Sequence, residues 1–404
     1  MVRILFVDDE PRILAALRDG MRRNRQRWDM VFVSSGDAAI EAISASPFDV
    51  VVSDMRMPGM DGATLLRHVK RKTPEATRII LSGYSDSQAA VRAVSVAHQC
   101  LAKPCDTDTL ENVIQRVCNL RVLIADEQLR RIVGRIDTLP SLPGIYPRLV
   151  RILDDPWVGT STIAELLETD MAMSAKVLQV VNSAFFGLSR RVTSIQDGVD
   201  YLGVDLIRTL AISASIFNGL SAVSTRKLIT AIENHALQTA NLARSICTKE
   251  TTQDADDAFI AGLLHDIGVL IMITGVPRYL ETLQVSLRGR PREPHEAELE
   301  LWGVNHARVG AYLLGFWGLP FRVVEAVAYH HDLEAVPRHS FDLATVVYVA
   351  NQLAHEVDAP WCLQPGALFP PLNTRYLDAC GVLNSLPEWR QMALQMSTPD
   401  GRAA

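Results

Sequence analysis

Acidic, hydroxyl and amine side chains stand at the ends of short apolar runs in the first quarter of the sequence. They are Asp8, Asp9, Asp54, Ser82 and Lys103. Clustered carboxylates repel one another unless a cation holds them, and Mg2+ tolerates a site with few protein ligands and several waters. Phosphorylation of Asp54 would add oxygens whose charge the ion, Lys103 and the Ser82 hydroxyl can neutralise. The set predicts a phospho-acceptor site; the alternative is a strand-end cluster in another kind of α/β protein.

The apolar runs that carry these residues predict a parallel sheet. They lie near residues 2–7, 30–33, 49–53, 78–82 and 99–102, and they alternate with segments of helical periodicity. Such alternation is typical of βαβ units, in which the carboxyl ends of the strands meet at one edge. We therefore expect a doubly wound α/β domain of five strands, with the reactive side chains sharing one crevice.

From Met1 to about Leu120 the chain resembles the CheY-like receiver domain of bacterial response regulators. The matching positions are Asp8-Asp9, Asp54, Ser82 and Lys103-Pro104. The resemblance implies phosphorylation of Asp54 by a sensor histidine kinase, with Ser82 and Lys103 assisting. It also implies Mg2+ bound by Asp9, Asp54 and the backbone carbonyl of Arg56, with Asp8 acting through water. Cys100 departs from the family, which usually has an aromatic switch residue three positions before the lysine.

Histidines dominate the chemistry of the second half of the chain, where helical patterns run from Pro147 to about Leu353. The candidate ligands among them are His235, His265 with the adjacent Asp266, His306 and the pair His330-His331. Imidazole and carboxylate ligands converging from several helices are how a bundle builds a divalent transition-metal site, and such a site can activate water for phosphoester hydrolysis. Taken singly, each histidine fits a hydrogen-bonded core residue better than a ligand, and only the set as a whole favours the metal site.

The order of these residues resembles the HD superfamily, and the segment from about Leu139 to Asp332 resembles an HDOD domain, the HD-related output domain. Its motifs include Leu139-Pro140-Ser141-Leu142-Pro143, Gly262-Leu263-Leu264-His265-Asp266-Ile267-Gly268 and His306-Ala307-Arg308-Val309-Gly310. The resemblance implies a signalling output without an established general catalytic activity.

Three features depart from the catalytic HD-GYP relatives, which hydrolyse cyclic di-GMP. Val269 replaces a lysine, no Gly-Tyr-Pro sequence follows His331, and Asn351 stands where a late metal-binding Asp is expected. Loss of that carboxylate removes a charged ligand. We therefore expect a binding module, and the alternative is a phosphorylation-gated phosphodiesterase acting on a cyclic dinucleotide or other nucleotide.

The domain organisation follows from breaks in these patterns. We expect a receiver at 1–120, a connecting helix at 121–138, an all-α HDOD domain at 139–340, and a helical extension with a tail at 341–404. Two prolines and a glycine in 140–144 end the connecting helix. That helix either pairs with its copy in a homodimer or packs on its own second domain.

Composition and charge limit the classes of partner and the compartment that we expect. The net charge is −6, and no helix-turn-helix with basic recognition residues is present, so we expect no DNA partner. The six cysteines show no CxxC spacing, which suits a reducing compartment. The apolar stretch from Ala261 to Val276 contains His265 and Asp266 and is too short to span a bilayer. We expect a cytoplasmic protein whose downstream partner is another protein or a nucleotide ligand.

Overall fold

A computed structural model describes most of the chain and divides it into two compact units. The described residues are 1–83, 96–120, 127–135, 145–153, 155, 157–182, 191–214, 223–250, 255–335, 340–357, 367–369 and 371–397. Unit one comprises Met1–Asp137, Gln179–Arg191 and Gly315–Gly318. Unit two comprises Thr138–Leu178, Val192–Leu314 and Leu319–Ala404.

A five-stranded parallel sheet forms the centre of unit one. Its strands are β1 Val2–Val7, β2 Trp28–Val33, β3 Val50–Asp54, β4 Thr77–Gly83 and β5 Gln99–Lys103. The strand order is β2-β1-β3-β4-β5, and every neighbouring pair is parallel. All residues of β3 are buried, as expected for a central strand covered on both faces. The doubly wound sheet predicted from the sequence is confirmed.

Five described helices accompany this sheet. They are α1 Pro11–Gly20, α2 Gly36–Ala45, α3 Gly62–Lys72, α4 Thr107–Leu120 and α5 Glu127–Arg135. Asp61 caps α3 by accepting the backbone N–H of Thr64 at 2.8 Å, and Asp106 caps α4 through Thr109 at 2.7 Å. The further helix expected between β4 and β5 falls on 84–95, outside the described residues.

Helix α5, in the middle of the expected connecting helix, packs against α3 of the same unit. Gly134 makes this possible, because a Cβ at that position would lie 1.9 Å from the carbonyl oxygen of Pro74. The buried guanidinium of Arg78 donates to the Gly134 carbonyl at 2.9 Å, and Arg131 pairs with Glu75 at 3.3 Å. Residues 121–126 and 136–138 lie outside the described residues, so the full connecting helix stays a prediction.

From Ile145 onward the described residues are helices and turns, with one isolated β-bridge between Arg292 and Ala367. The helices are α6 Ile145–Leu153, α7 Thr160–Leu167, α8 Met171–Val181, α9 Ile195–Ala214, α10 Val223–Glu250, α11 Ala255–Leu264, α12 Ile267–Gly275, α13 Tyr279–Gly289, α14 Pro294–Trp302, α15 His306–Phe316, α16 Phe321–Tyr329, α17 Leu343–Val357, α18 Thr374–Ala379 and α19 Leu386–Ser397. Helices α10, α11, α16 and α17 pack on one another and form the centre of unit two.

Two helical segments differ from the sequence pattern. The sequence pattern predicts one helix from Ile163 to Val181, but the structure breaks it between α7 and α8, where Asp170 caps the second helix by accepting the N–H of Met173 at 2.7 Å. The pattern also predicts His265 and Asp266 within a helix, yet they form the turn between α11 and α12. By length and composition, Ala255–Gly275 is apolar enough to cross a membrane, with a mean hydropathy of 1.8; 83% of it is buried inside the fold, so we assign it to the core.

Candidate functional site

The ammonium of Lys103 joins two carboxylates at the carboxyl edge of the sheet in unit one. Its Nζ lies 2.6 Å from Oδ1 of Asp54 and 2.7 Å from Oδ2 of Asp8. Asp8 is 1% exposed and Asp54 is 6% exposed, so both charges lie largely out of water. Parallel pairing brings the ends of β1, β3 and β5 to one edge, and the three predicted side chains meet there.

Close backbone packing fixes the direction of Asp54. The backbone N–H of Arg56 donates to Oδ2 of Asp54 at 3.1 Å, and Met55 donates its N–H to the Leu81 carbonyl at 2.8 Å. A Cβ on Gly62 would lie 2.1 Å from the carbonyl oxygen of Asp54, so only glycine fits at the start of α3. The turn after β3 therefore holds the carboxylate against the sheet edge.

Burial and the neighbouring charges act in opposite directions on the pKa values of this site. Burial raises the pKa of Asp54, and Lys103 only partly opposes that shift. Burial by itself would lower the pKa of Lys103, but the hydrogen bonds to Asp54 and Asp8 outweigh it and raise that pKa. Lys103 therefore stays charged beside the acceptor oxygen.

Three other positions from the receiver pattern lie around this edge. Ser82 is buried near the end of β4, opposite Ala102 of β5, and Asp9 is half-buried directly after Asp8. Cys100 is buried on β5. Strand register places Ser82 one residue beyond Leu81, the partner of Asp54.

A second site surrounds Asp266 in unit two, where three imidazoles face one carboxylate. Nε2 of His306 lies 3.2 Å and Nε2 of His330 lies 3.7 Å from Oδ1 of Asp266. Nε2 of His265 lies 3.4 Å from Oδ2. All four side chains are almost fully buried. Asp266, His306, His330 and His331 each offer a ligand atom within 4.8 Å of the others, as do His235, His265 and Asp266.

Each of these three imidazoles is oriented through its other nitrogen. Nδ1 of His265 bonds the Gly262 carbonyl at 2.7 Å, and Nδ1 of His330 bonds the Val327 carbonyl at 2.8 Å. Both contacts require Nδ1–H, so the Nε2 atom of each ring is the one that faces Asp266. The buried Nε2 atoms of His265 and His330 have no hydrogen-bond partner among the described residues. This arrangement, with anchored Nδ1 and presented Nε2, fits histidines that hold a metal ion.

The third imidazole, that of His306, is oriented by a carboxylate at its Nδ1 atom. Nδ1 of His306 lies 2.8 Å from Oε2 of Glu298, whose other oxygen accepts the hydroxyl of Tyr279. Burial opposes a charge on His306, but Glu298 and Asp266 outweigh it and raise the pKa of His306 to about 10. His265 and His306 hold the pKa of Asp266 well below its usual range against the effect of burial.

Two glycines let the helices approach closely enough to form this site. A Cβ on Gly268 would lie 1.9 Å from the carbonyl oxygen of His306, so the start of α12 can contact α15 only through glycine. A Cβ on Gly262 would lie 2.8 Å from Cα of Ala240, where α11 crosses α10. The glycines on either side of His265-Asp266 thus bring α10, α11, α12 and α15 together.

His235 and Asn351 form the other end of the site. Nε2 of His235 lies 2.9 Å from the side-chain oxygen of Asn351, and the ring of His235 stacks on His355 at 4.4 Å. His355 was not identified from the sequence, although it lies one helical turn after Asn351, a spacing that would have indicated a shared face. Asn351 therefore occupies a ring nitrogen of one candidate ligand.

The structure extends the histidine set beyond the predicted members. Ring contacts run from His355 through His235, His265, His330 and His331 to His295, with His306 at the side. The stacked rings of His295 and His331 have centroids 4.4 Å apart. His295 and Glu298 carried no motif signal, since their partners His331 and His306 belong to other structural elements.

Comparison with known proteins identifies both halves. The family model for the response regulator receiver domain matches residues 4–115, and that for the HDOD domain matches residues 139–333. An uncharacterized protein of Treponema pallidum (strain Nichols) is 30% identical over 229 residues, covering 56% of this chain and 44% of that protein. The hydrogenase transcriptional regulatory protein HoxA of Cupriavidus necator is 34% identical over 125 residues, covering 30% and 25%. The chain thus spans less than half the length of these curated relatives.

Among solved structures, the MmoQ response regulator from Methylococcus capsulatus str. Bath is similar at 23% identity with a TM-score of 0.47. That likeness covers 63% of this chain and 98% of MmoQ. Both family models match in the order expected from the sequence, and the parallel sheet and the helical unit agree with them. The chain is therefore a response regulator of the two-component class, in which a receiver domain is followed by an HDOD output domain.

Proposed function

We propose that a sensor histidine kinase phosphorylates Asp54 and that the HDOD domain carries the response by binding a protein or a small ligand. The observation that supports the first step is the position of Lys103 Nζ between Asp54 and Asp8. An ammonium at that point stabilises negative charge on an acceptor oxygen and its phosphoryl group. The donor is then a phosphohistidine of the kinase.

The transfer is a substitution at phosphorus. A carboxylate oxygen of Asp54 attacks the phosphoryl group, the P–N bond of the phosphohistidine breaks, and a P–O bond to Asp54 forms. The ammonium of Lys103 and the hydroxyl of Ser82 donate hydrogen bonds to the oxygens of the transferred phosphoryl group. Asp8, Asp9, Asp54 and the carbonyl of Arg56 are the groups that would hold Mg2+, whose contribution is to neutralise phosphoryl charge.

The proposed role of the HDOD domain depends on the site around Asp266. The buried Nε2 atoms of His265 and His330, which have no hydrogen-bond partner among the described residues, support a divalent transition metal held with Asp266 and His306. In that case the ion supplies a fixed charge and a Lewis acid at the centre of the helical domain. The proposed role of this ion is to organise a binding surface, since the contact between Asn351 and His235 leaves the site without a further carboxylate ligand.

The alternative function is a phosphorylation-gated hydrolase of a cyclic dinucleotide or other nucleotide. The convergence of three Nε2 atoms on Asp266 favours it, because such a site can activate water. Its test is turnover of cyclic dinucleotides with added Mn2+ or Fe2+, compared with the His265→Ala variant. Metal-dependent turnover that disappears in this variant would establish the hydrolase and replace the binding role.

A phosphorylation assay tests the main proposal. We expect the full-length chain to incorporate a phosphoryl group from a small-molecule donor in Mg2+, and to lose this capacity in Asp54→Asn. Asp37→Asn is the matched control, because Asp37 is an exposed residue in the first turn of α2. Equal incorporation by Asp54→Asn would exclude Asp54 as the acceptor.

The same Asp54→Asn variant also tests the coupling between the domains. We propose that phosphorylation changes the connecting segment that contains α5, and thereby exposes or covers the HDOD surface and shifts a monomer–dimer equilibrium in the cytoplasm. Hydrogen exchange and sedimentation with and without donor measure both effects. Identical exchange and mass in wild type and Asp54→Asn would contradict the coupling.

A further inference from the structure

Glu293, His295 and His331 form a second group of metal-ligating side chains beside the Asp266 site. One ligand atom from each lies within 4.8 Å of the others. Neither Glu293 nor His295 belongs to the histidine motifs through which the sequence resembles HDOD domains. All three residues lie in unit two.

The start of α14 places the first two side chains together. Glu293 precedes Pro294, the first residue of the helix, and its carboxylate makes no capping hydrogen bond there. Instead, Oε2 of Glu293 lies 3.4 Å from Nδ1 of His295. In a tetrahedral zinc site with bonds of about 2.1 Å, neighbouring ligand atoms are about 3.4 Å apart. The two atoms therefore have the spacing of two ligands of one ion.

His295 has an unused ligand atom. The residue is 9% exposed, and its buried Nδ1 has no hydrogen-bond partner among the described residues. A buried ring nitrogen without a partner is unfavourable, and coordination to an ion would satisfy it.

The surroundings of Glu293 are rich in negative charge. Burial and the carboxylates of Glu296 and Asp332 raise the pKa of Glu293 to about 7. A divalent cation would offset this repulsion, in the same way that it holds carboxylates in other sites. The charge balance thus agrees with the geometry.

We propose that Glu293, His295 and His331 bind a second divalent transition-metal ion, of the class of Zn2+, next to the Asp266 site. Two imidazoles and one carboxylate are a ligand set that such ions accept. His331 has two ring nitrogens, and its Nε2 lies 2.9 Å from Nε2 of His306, so this residue links the two sites. Ligation requires rotation of the half-buried His331 ring, because parallel stacked rings do not direct their lone pairs at one point. The inference does not require an ion at Asp266.

Metal counting on the full-length chain tests this site. The protein is stripped with a chelator, equilibrated with Zn2+ in Mg2+ buffer, and its zinc content is measured by mass spectrometry. We expect His295→Gln and Glu293→Gln to bind one ion fewer than wild type, with roughly 100-fold weaker affinity at that site. Glu296→Gln is the matched control and should keep the wild-type content, since Glu296 is exposed and lies outside the ligand set.

Asp266→Asn separates the two sites. We expect it to retain the zinc that His295→Gln loses. If all bound zinc disappears in Asp266→Asn while His295→Gln and Glu293→Gln bind like the control, the second site is overturned and the Asp266 metal stands. If wild type binds no zinc, both are overturned. Circular dichroism checks folding, and Glu293→Gln, at a half-buried surface position, provides the test if His295→Gln does not fold.

Discussion

The side-chain oxygen of Asn351 lies 2.9 Å from Nε2 of His235. Because an amide oxygen only accepts, this contact requires a proton on Nε2 of His235. A neutral amide oxygen therefore stands where a carboxylate would offer a negative charge to a cation. Asn351 is thus the residue that separates this site from a fully charged ligand set.

Replacing Asn351 with Asp should strengthen metal binding. We expect Asn351→Asp to raise Zn2+ affinity at the Asp266 site about tenfold or more, because a charged oxygen ligand is added. Competition with a chromophoric chelator measures the affinity. Asn119→Asp on α4 is the control, since its side-chain oxygen still accepts from Gln115. Unchanged affinity in Asn351→Asp would show that this position does not face the ion.

Gly268 should be indispensable for the packing of the Asp266 site. A Cβ there would lie 1.9 Å from the His306 carbonyl oxygen, and the nearest atoms are backbone that cannot move aside. We expect Gly268→Ala to lower the free energy of unfolding by about 3 kcal/mol. Thermal and urea unfolding measure this change. Gly289→Ala, with open space around its Cβ position, should change stability by less than about 0.5 kcal/mol; similar losses in both variants would refute the steric cause.

Gly134 should control the attachment of α5 to the receiver. A Cβ at Gly134 would lie 1.9 Å from the Pro74 carbonyl oxygen, and its displacement would also break the Arg78 contact to Gly134. We expect amides of α5 to exchange about tenfold faster or more in Gly134→Ala. Hydrogen exchange with mass spectrometry reports on this helix directly. Gly159→Ala, which meets only the Ser161 side chain at 3.5 Å, should leave the exchange of α5 unchanged.

Cys105 should react slowly with alkylating agents. Burial and the adjacent Asp106 raise the pKa of its thiol to about 11. At pH 8 roughly one thiol in a thousand is then ionised, compared with about a quarter for an ordinary cysteine. The alkylation rate should rise about tenfold per pH unit between pH 8 and 10. Peptide mass spectrometry measures it, with Cys105→Ser to identify the peptide; a rate that levels off near pH 8.5 would contradict the raised pKa.

The sequence alone determined the sheet and the positions of its reactive residues. A run such as Val50-Val51-Val52 predicts a buried strand, and the carboxyl ends of the strands of one parallel sheet lie at the same edge. Asp8, Asp54 and Lys103 therefore had to meet once the strands were recognised. The pair His265-Asp266 was likewise predicted from the sequence to belong to a candidate metal site.

Only the tertiary structure decided which other residues join the second site. His295 and Glu298 lie on α14, whereas their partners lie in the turn after α16 (His331) and on α15 (His306), so no periodicity relates them. The break of the expected helix at Asp170 also depends on contacts, including the buried Met171 N–H bonded to Glu233 of α10. The orientation of each imidazole depends on which carbonyl its Nδ1 meets, and helix crossing permitted by Gly268 sets that geometry. Local sequence patterns therefore predict the helices and strands, whereas the packing of helices that are distant in the sequence decides which side chains share a ligand site.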